Sequence, residues 1–157
     1  MLTNNISVIG SEGFIGRAFA NSLSKLEISF ESFNRARPIF DNNRLNKKIL
    51  ESHTIFWLAT KVNPVTAESK NWLCDFEINE WRNFLDLLPN HIKIVFVSSG
   101  GCIYMDNDEA SSEDSSIAPN NKYGSMKFKM ENVIQNLTDT QRYIIILLII
   151  IVIYYLY

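Results

Sequence analysis

At 157 residues the chain is about one domain long, enough to enclose a hydrophobic core. Its net charge of −2 and its scattered lysines and arginines exclude an electrostatic surface for nucleic acid. The two cysteines, Cys74 and Cys102, lack metal-ligand and redox spacing, so free thiols in a reducing cytoplasm and no metal site are expected.

In chain order, the apolar run "ISVIG" (6–10) predicts a buried strand, and the N-terminus lacks the pattern of a signal peptide. A glycine-rich turn follows, and then "FIGRAFANSLSKL" (14–26) places Ile15, Ala18, Phe19 and Leu23 at helical spacing. "ISFESFN" (28–34) alternates apolar and polar residues as a second strand does. Residues 35–52 are polar, with Pro38 and an Asn-Asn pair, and leave room for a short strand and a short helix. "TIFWLAT" (54–60) predicts a third strand, "LCDFEINEWRNFLDLL" (73–88) a helix stopped by Pro89, and "IKIVFVSS" (92–99) the most pronounced strand. His53 and His91, at strand starts, are expected to face solvent. A polar loop over 105–121, with a solvated acidic stretch at 107–114, leads into a helix that carries Tyr123 and Lys127. Strands alternating with helices predict a doubly wound α/β domain, with a mainly parallel sheet, over residues 1–142. Residues 143–157, "YIIILLIIIVIYYLY", form an apolar tail.

Two stretches carry chemistry. In "VIGSEGFIGRAF", glycines 10, 13 and 16 sit between a strand and a helix. Gly10 permits a tight turn, Gly13 lets backbone approach a pyrophosphate, and Gly16 lets the helix pack close to the sheet. The helix N-terminus presents unpaired N–H groups to phosphates. In "NKYGSMKFKME", Tyr123 and Lys127 stand one helical turn apart on a common face. A tyrosine near its ordinary pKa is a poor base at neutral pH, and a neighbouring ammonium can stabilise its phenolate. Glu131, a further turn along, is a structural partner for Lys127.

With "FWLAT", "VFVSSGGCIY" and "YGSMK" following "GSEGFIG" in order, the chain resembles the extended short-chain dehydrogenase/reductase family over roughly residues 5–145. The resemblance is to its NAD(P)-dependent sugar-nucleotide epimerases and dehydratases, and it implies a Rossmann-like fold. It implies that Gly10, Gly13, Phe14, Ile15, Gly16, Arg35 and Ala59 bind the dinucleotide together with Tyr123 and Lys127. It also implies that Tyr123 exchanges a proton with a sugar hydroxyl, that Lys127 supports it, and that Ser99 orients the substrate oxygen, with Ser98 the alternative. Relatives often carry the hydroxyl where this chain has Gly100, and a threonine where it has Cys102. Arg35 at the end of the second strand favours NADP over NAD, because an arginine there can pair with a 2′-phosphate. Asp41 is a candidate for the acidic residue near the adenine. In complete relatives the partner is a nucleotide sugar, and homodimers form through the helices that correspond to 73–88 and 122–136.

Family members continue past the Tyr-x-x-x-Lys helix into an Arg-Pro strand and a region that grips the sugar nucleotide, and neither is expected here. Three readings of the tail stay open. It is the next parallel strand of a truncated or frameshifted chain, a short membrane anchor, or a surface for a partner chain. An exposed β-rich apolar end is in each case an aggregation hazard. A second class of function also stays open: a catalytically silent dinucleotide-binding or interaction module that keeps the site as a relic.

Overall fold

The structure is a computed structural model and describes residues 5–104, 115–136 and 143–147. In chain order its elements are β1 (Ile6–Ile9), α1 (Phe14–Lys25), β2 (Phe30–Phe33), β3 (Phe40–Asp41), β4 (Arg44–Leu45), α2 (Lys47–Leu50), β5 (Thr54–Trp57), α3 (Pro64–Ser69), α4 (Asn71–Leu87), β6 (Lys93–Ser98), α5 (Gly100–Ile103), α6 (Lys122–Gln135) and β7 (Tyr143–Leu147). Five strands form one sheet in the order β2-β1-β5-β6-β7, and every pairing is parallel. The chain leaves β1 toward β2 on one side and reaches β5 on the other. The order therefore reverses at β1, and in open α/β sheets a ligand binds beyond the carboxyl ends of the strands at such a point.

The register sorts the side chains into two faces. Ile9, Phe33, Trp57, Phe96 and Ile145 are aligned across the sheet and share one core with buried residues of α4 and α6. The Trp81 ring lies 4.7 Å from that of Trp57 and 5.0 Å from that of Phe96. Trp81 Nε1 donates to the Met130 carbonyl at 3.0 Å and so ties α4 to α6. Burying each such aromatic side chain contributes on the order of 2 kcal/mol. On the opposite face α1 packs its Phe19 ring 4.5 Å from Phe56. On that face of β7, Ile144 is 60% and Ile146 42% exposed.

Helical period explains α4: Cys74, Ile78, Trp81, Phe84 and Leu85 are buried at three- and four-residue steps. Its start lies two residues before the expected position 73, and it is preceded by α3. There Asn63 and Thr66 form a reciprocal capping box, with Pro64 in the first turn. The polar region 35–52 contains a β3–β4 hairpin and α2, so it holds one strand more than expected. Asn42 (φ 48°) and Asn43 (φ 62°) adopt the left-handed conformation that a two-residue hairpin turn requires. His53 and His91 are exposed. The acidic stretch 107–114 lies outside the described residues. The end of the expected loop is held by a bridge between Tyr104 and Ile117.

Residues 143–147 of the apolar run are a strand of the sheet, paired along β6 from Ile94 to Ser98. The remaining tail lies outside the described residues. Among the described residues no helix is long and apolar enough to cross a membrane.

Candidate active site

The carboxyl ends of β1, β5 and β6 bring the sequence landmarks to one edge of the sheet. At the end of β1, Gly10 has φ +88°, and a Cβ there would lie 2.7 Å from the Ala59 backbone. Gly16 packs so closely on the turn that a Cβ would collide with the Gly10 carbonyl oxygen. Both positions are therefore closed to side chains, and Ala59 is fixed beside the turn. Gly13 differs: a Cβ there would approach only the Gly10 oxygen, at 3.3 Å. Gly13 is the exposed N-cap of α1, no side chain among the described residues caps that end, and its first turn has no acidic residue. The leading N–H groups, around Phe14 and Ile15, thus face outward where an anion can accept from them.

At the end of β2, Asn34 Oδ1 accepts the Ala36 and Arg37 N–H groups at 2.9 and 3.0 Å. Asn34 Nδ2 donates to Glu12 Oε1 of the glycine turn at 2.9 Å. Arg37 is committed to Glu31 at 2.6 Å and lies over the Phe33 ring. Arg35 is exposed and forms no ion pair among the described residues. Asp41 sits exposed on the β3–β4 hairpin.

At the end of β6 the two candidate serines diverge, as successive strand residues do. Ser98 is buried, and its hydroxyl lies beside the Glu131 carboxyl without closing a hydrogen bond. Ser99 is half-buried at the N-cap position of α5. α6 begins where Asn121 Oδ1 accepts the Gly124 N–H at 2.7 Å. Gly124 is required there because a Cβ would collide with the Cys102 carbonyl of α5. This contact sets Tyr123 next to Cys102.

Tyr123 is half-buried and Lys127 is 4% exposed. Lys127 Nζ donates to the Val97 carbonyl at 3.4 Å. It stands 5.0 Å from the Phe96 ring centre and 5.9 Å from that of Tyr123. Burial pulls the Lys127 ammonium down to about 8, against the opposing pull of Glu77 and Glu131. Burial, followed by Cys102 and Glu77, pushes the Tyr123 phenol up to about 12. At neutral pH the pair is thus a neutral phenol beside a buried cation.

One charged residue of this region does not emerge from the motif reading. Glu77 of α4 is 3% exposed, and its Oε2 accepts the Lys61 N–H at 2.8 Å. Burial raises its pKa, while Thr60, the Lys61 N–H and Lys127 oppose the rise. Burial likewise raises Glu131, opposed by Ser98 and Lys127. A helical projection of α4 shows the signal: Glu77 falls on the buried stripe between Cys74 and Ile78.

Comparison with known proteins places this geometry. The family model described as the NAD dependent epimerase/dehydratase family matches residues 6–154. A dTDP-4-dehydro-6-deoxyglucose reductase of Escherichia coli is 28% identical over 159 residues, a match covering 84% of this chain and 50% of that protein. Of the solved structures, the NAD-dependent NDP-hexosamine 5,6-dehydratase TunA of tunicamycin biosynthesis superimposes with a TM-score of 0.73 at 19% identity, covering 92% of this chain and 54% of its own. UDP-glucuronic acid 4-epimerase from Bacillus cereus, in complex with UDP-glucuronic acid and NAD, gives 0.70 at 19% identity, covering 92% and 55%. At that identity the likeness establishes the fold. NADP complexes occur among the matching structures as well as NAD complexes. The chain spans about half the length of the relatives it matches. With its parallel sheet, its glycine turn and a family match over nearly all of its length, the chain belongs to the NAD-dependent epimerase/dehydratase family.

Proposed function

We propose that this chain is the dinucleotide-binding part of an NAD(P)-dependent epimerase, dehydratase or reductase that acts on a nucleotide sugar. The observation that carries the reading is the shared edge. The glycine turn with the uncapped N-terminus of α1 and the buried Lys127 beside Tyr123 all lie at the carboxyl ends of neighbouring strands. Gly13, Phe14 and Ile15 receive the pyrophosphate, Gly10 and Gly16 keep the turn tight, and Ala59 borders it. Lys127 holds the nicotinamide ribose and Ser99 orients the substrate oxygen. A bound NAD(P) supplies hydride exchange at a sugar carbon.

The protonation states favour one direction for Tyr123. With its phenol held up to about 12, Tyr123 carries its proton at neutral pH and is set to donate it to a carbonyl oxygen that is being reduced. Lys127 is cationic below about pH 8 and stabilises the phenolate left behind. For the cofactor, Arg35 is the arginine free to meet a 2′-phosphate, because Arg37 is held by Glu31. That supports NADP. Glu12, held beside Asn34, opposes it.

The same reading includes a cytoplasmic setting, consistent with the free thiols of Cys74 and Cys102. It also includes a homodimer through α4 and α6, to which Trp72 and Phe76, 65% and 48% exposed on α4, offer apolar area. The second reading, a silent dinucleotide-binding module, has on its side the elevated Tyr123 pKa. Turnover separates the two. An enzyme converts a nucleotide sugar with NAD(P)H and loses that turnover in Tyr123→Phe, whereas a silent module binds the dinucleotide and converts nothing.

A further inference from the structure

Lys127 is a buried ammonium with three N–H donors, and among the described residues its one side-chain hydrogen bond is a long one, to the Val97 carbonyl at 3.4 Å. A cation removed from water needs a counter-charge as well as hydrogen bonds. The groups that face it can be named element by element. From β6 come the Phe96 ring, the Val97 carbonyl and, next in sequence, the uncharged Ser98 hydroxyl beside Glu131. From α6 itself come Tyr123, one turn before, and Glu131, one turn after. From α4 comes Glu77: it lies one turn before Trp81, whose indole bonds to Met130 one turn after Lys127 on α6, and it faces the ammonium without a direct ion pair. Cys102 of α5 lies against Tyr123. Two other lysines near this cluster turn outward: Lys61 reaches Glu80 at 2.7 Å and the Phe76 ring, and Lys122 reaches Glu68 at 3.5 Å.

Glu77 is buried and is not a surface acid. It occupies the buried stripe of α4, amid Cys74, Ile78 and Trp81, where an apolar residue would pack at less cost. Its Oε2 is fixed by the Lys61 N–H, while its Oε1 closes no hydrogen bond among the described residues; the Thr60 hydroxyl lies near the carboxyl, and Glu80 of the same helix repels its charge. A buried carboxylate oxygen left open is costly unless a charge nearby compensates it.

We propose that Glu77 is the counter-ion of Lys127 across the α4–α6 interface, and that it acts on catalysis as a positioning residue for that lysine. Glu77 keeps the ammonium charged and turned toward Tyr123 and the nicotinamide ribose, without itself touching cofactor or substrate. The consequence for catalysis rests on the functional reading above; the pairing of the two side chains does not.

The test is a side-chain NMR titration of the full chain, following the Lys127 ε-methylene with labelled lysine and the Glu77 carboxyl with labelled glutamate. Glu77→Gln keeps an oxygen for the Lys61 N–H and removes the charge. The titration of Lys127 is expected to move down by about one pH unit, and Glu77→Asp is expected to restore part of that shift. By reciprocity, Lys127→Met is expected to move the Glu77 carboxyl titration upward. This second measurement stands even if Glu77→Gln does not fold. A folded Glu77→Gln with Lys127 titrating as in the wild type, or a Glu77 carboxyl unmoved by Lys127→Met, overturns the proposal. A loss of thermal stability with both titrations unchanged also overturns it, because that is the mark of a packing role alone. Failure of the wild-type chain to bind NAD(P) sinks the functional reading and leaves these titrations unaffected.

Discussion

Lys127 ends 5.9 Å from the centre of the Tyr123 ring and gives its hydrogen bond to the Val97 carbonyl instead. The pair at the centre of the site is therefore held in register by α6 and β6, with the lysine poised beneath the tyrosine and not bonded to it. The first consequence is electrostatic. Lys127 keeps its charge below about pH 8. Dinucleotide affinity that depends on this cation is expected to be full at pH 6.5–7 and to fall as the pH rises through about 8. Fluorescence titration with NAD(P)H across that range checks it, and Lys127→Arg is expected to flatten the profile because the guanidinium stays charged.

Tyr123 gives a stability signature of its own. Its pKa is about 12 in the folded chain against an ordinary 10.0, so the folded state holds a proton that the unfolded state has lost between those values. Its contribution is whole below pH 10 and is lost as the pH rises toward 12. Allowing for its partial exposure, wild type should lose about 1 kcal/mol by pH 11 that Tyr123→Phe retains. Urea denaturation of both proteins at pH 9 and 11 measures the difference.

The glycines should separate folding from binding. Gly16→Ala drives a methyl into the Gly10 carbonyl and should cost about 2–4 kcal/mol in urea denaturation. Gly13→Ala meets a single oxygen at 3.3 Å and should cost less than about 1 kcal/mol. In the proposed site its methyl would stand where the pyrophosphate approaches, so dinucleotide affinity should drop about tenfold or more in a stably folded chain.

In the proposed site the opposed charges of Arg35 and Glu12 should set the choice of cofactor. Arg35→Ala is expected to lower the NADP/NAD affinity ratio by about threefold to tenfold, and Glu12→Gln to raise it by a similar factor. Asn34 should hold its turn in both variants, because its Oδ1 bonds run to main-chain N–H groups. Calorimetric titration of each variant with both dinucleotides gives the ratios.

Much of this was legible in the residues. β1, β5 and β6 are short, β-branched or aromatic apolar runs, and each appears in place. The glycine turn was legible in its spacing between a strand and a helix, and the structure gives the reason at Gly10 and Gly16, where a Cβ would collide with backbone. α3 was less visible: its buried face is little more than Ala67, although Asn63, Pro64 and Thr66 spell out its start. The β3–β4 hairpin rests on two-residue strands, too short for any period, and only the Asn42–Asn43 pair announces it. Glu77 was hidden for a different reason. Its charge suggests solvent, and only its position in the α4 stripe shows that it points inward.

The central claim is that the glycine turn and the Tyr123–Lys127 pair form one dinucleotide site. Equilibrium titration of the full chain with NADH and NADPH at pH 7, beside Gly13→Ala and Lys127→Met, tests it most directly. Saturable binding by the wild type, weakened about tenfold or more by each substitution in folded protein, is the predicted result. A folded wild-type chain that binds neither dinucleotide at millimolar concentration, or binds with an affinity that neither substitution changes, would contradict it.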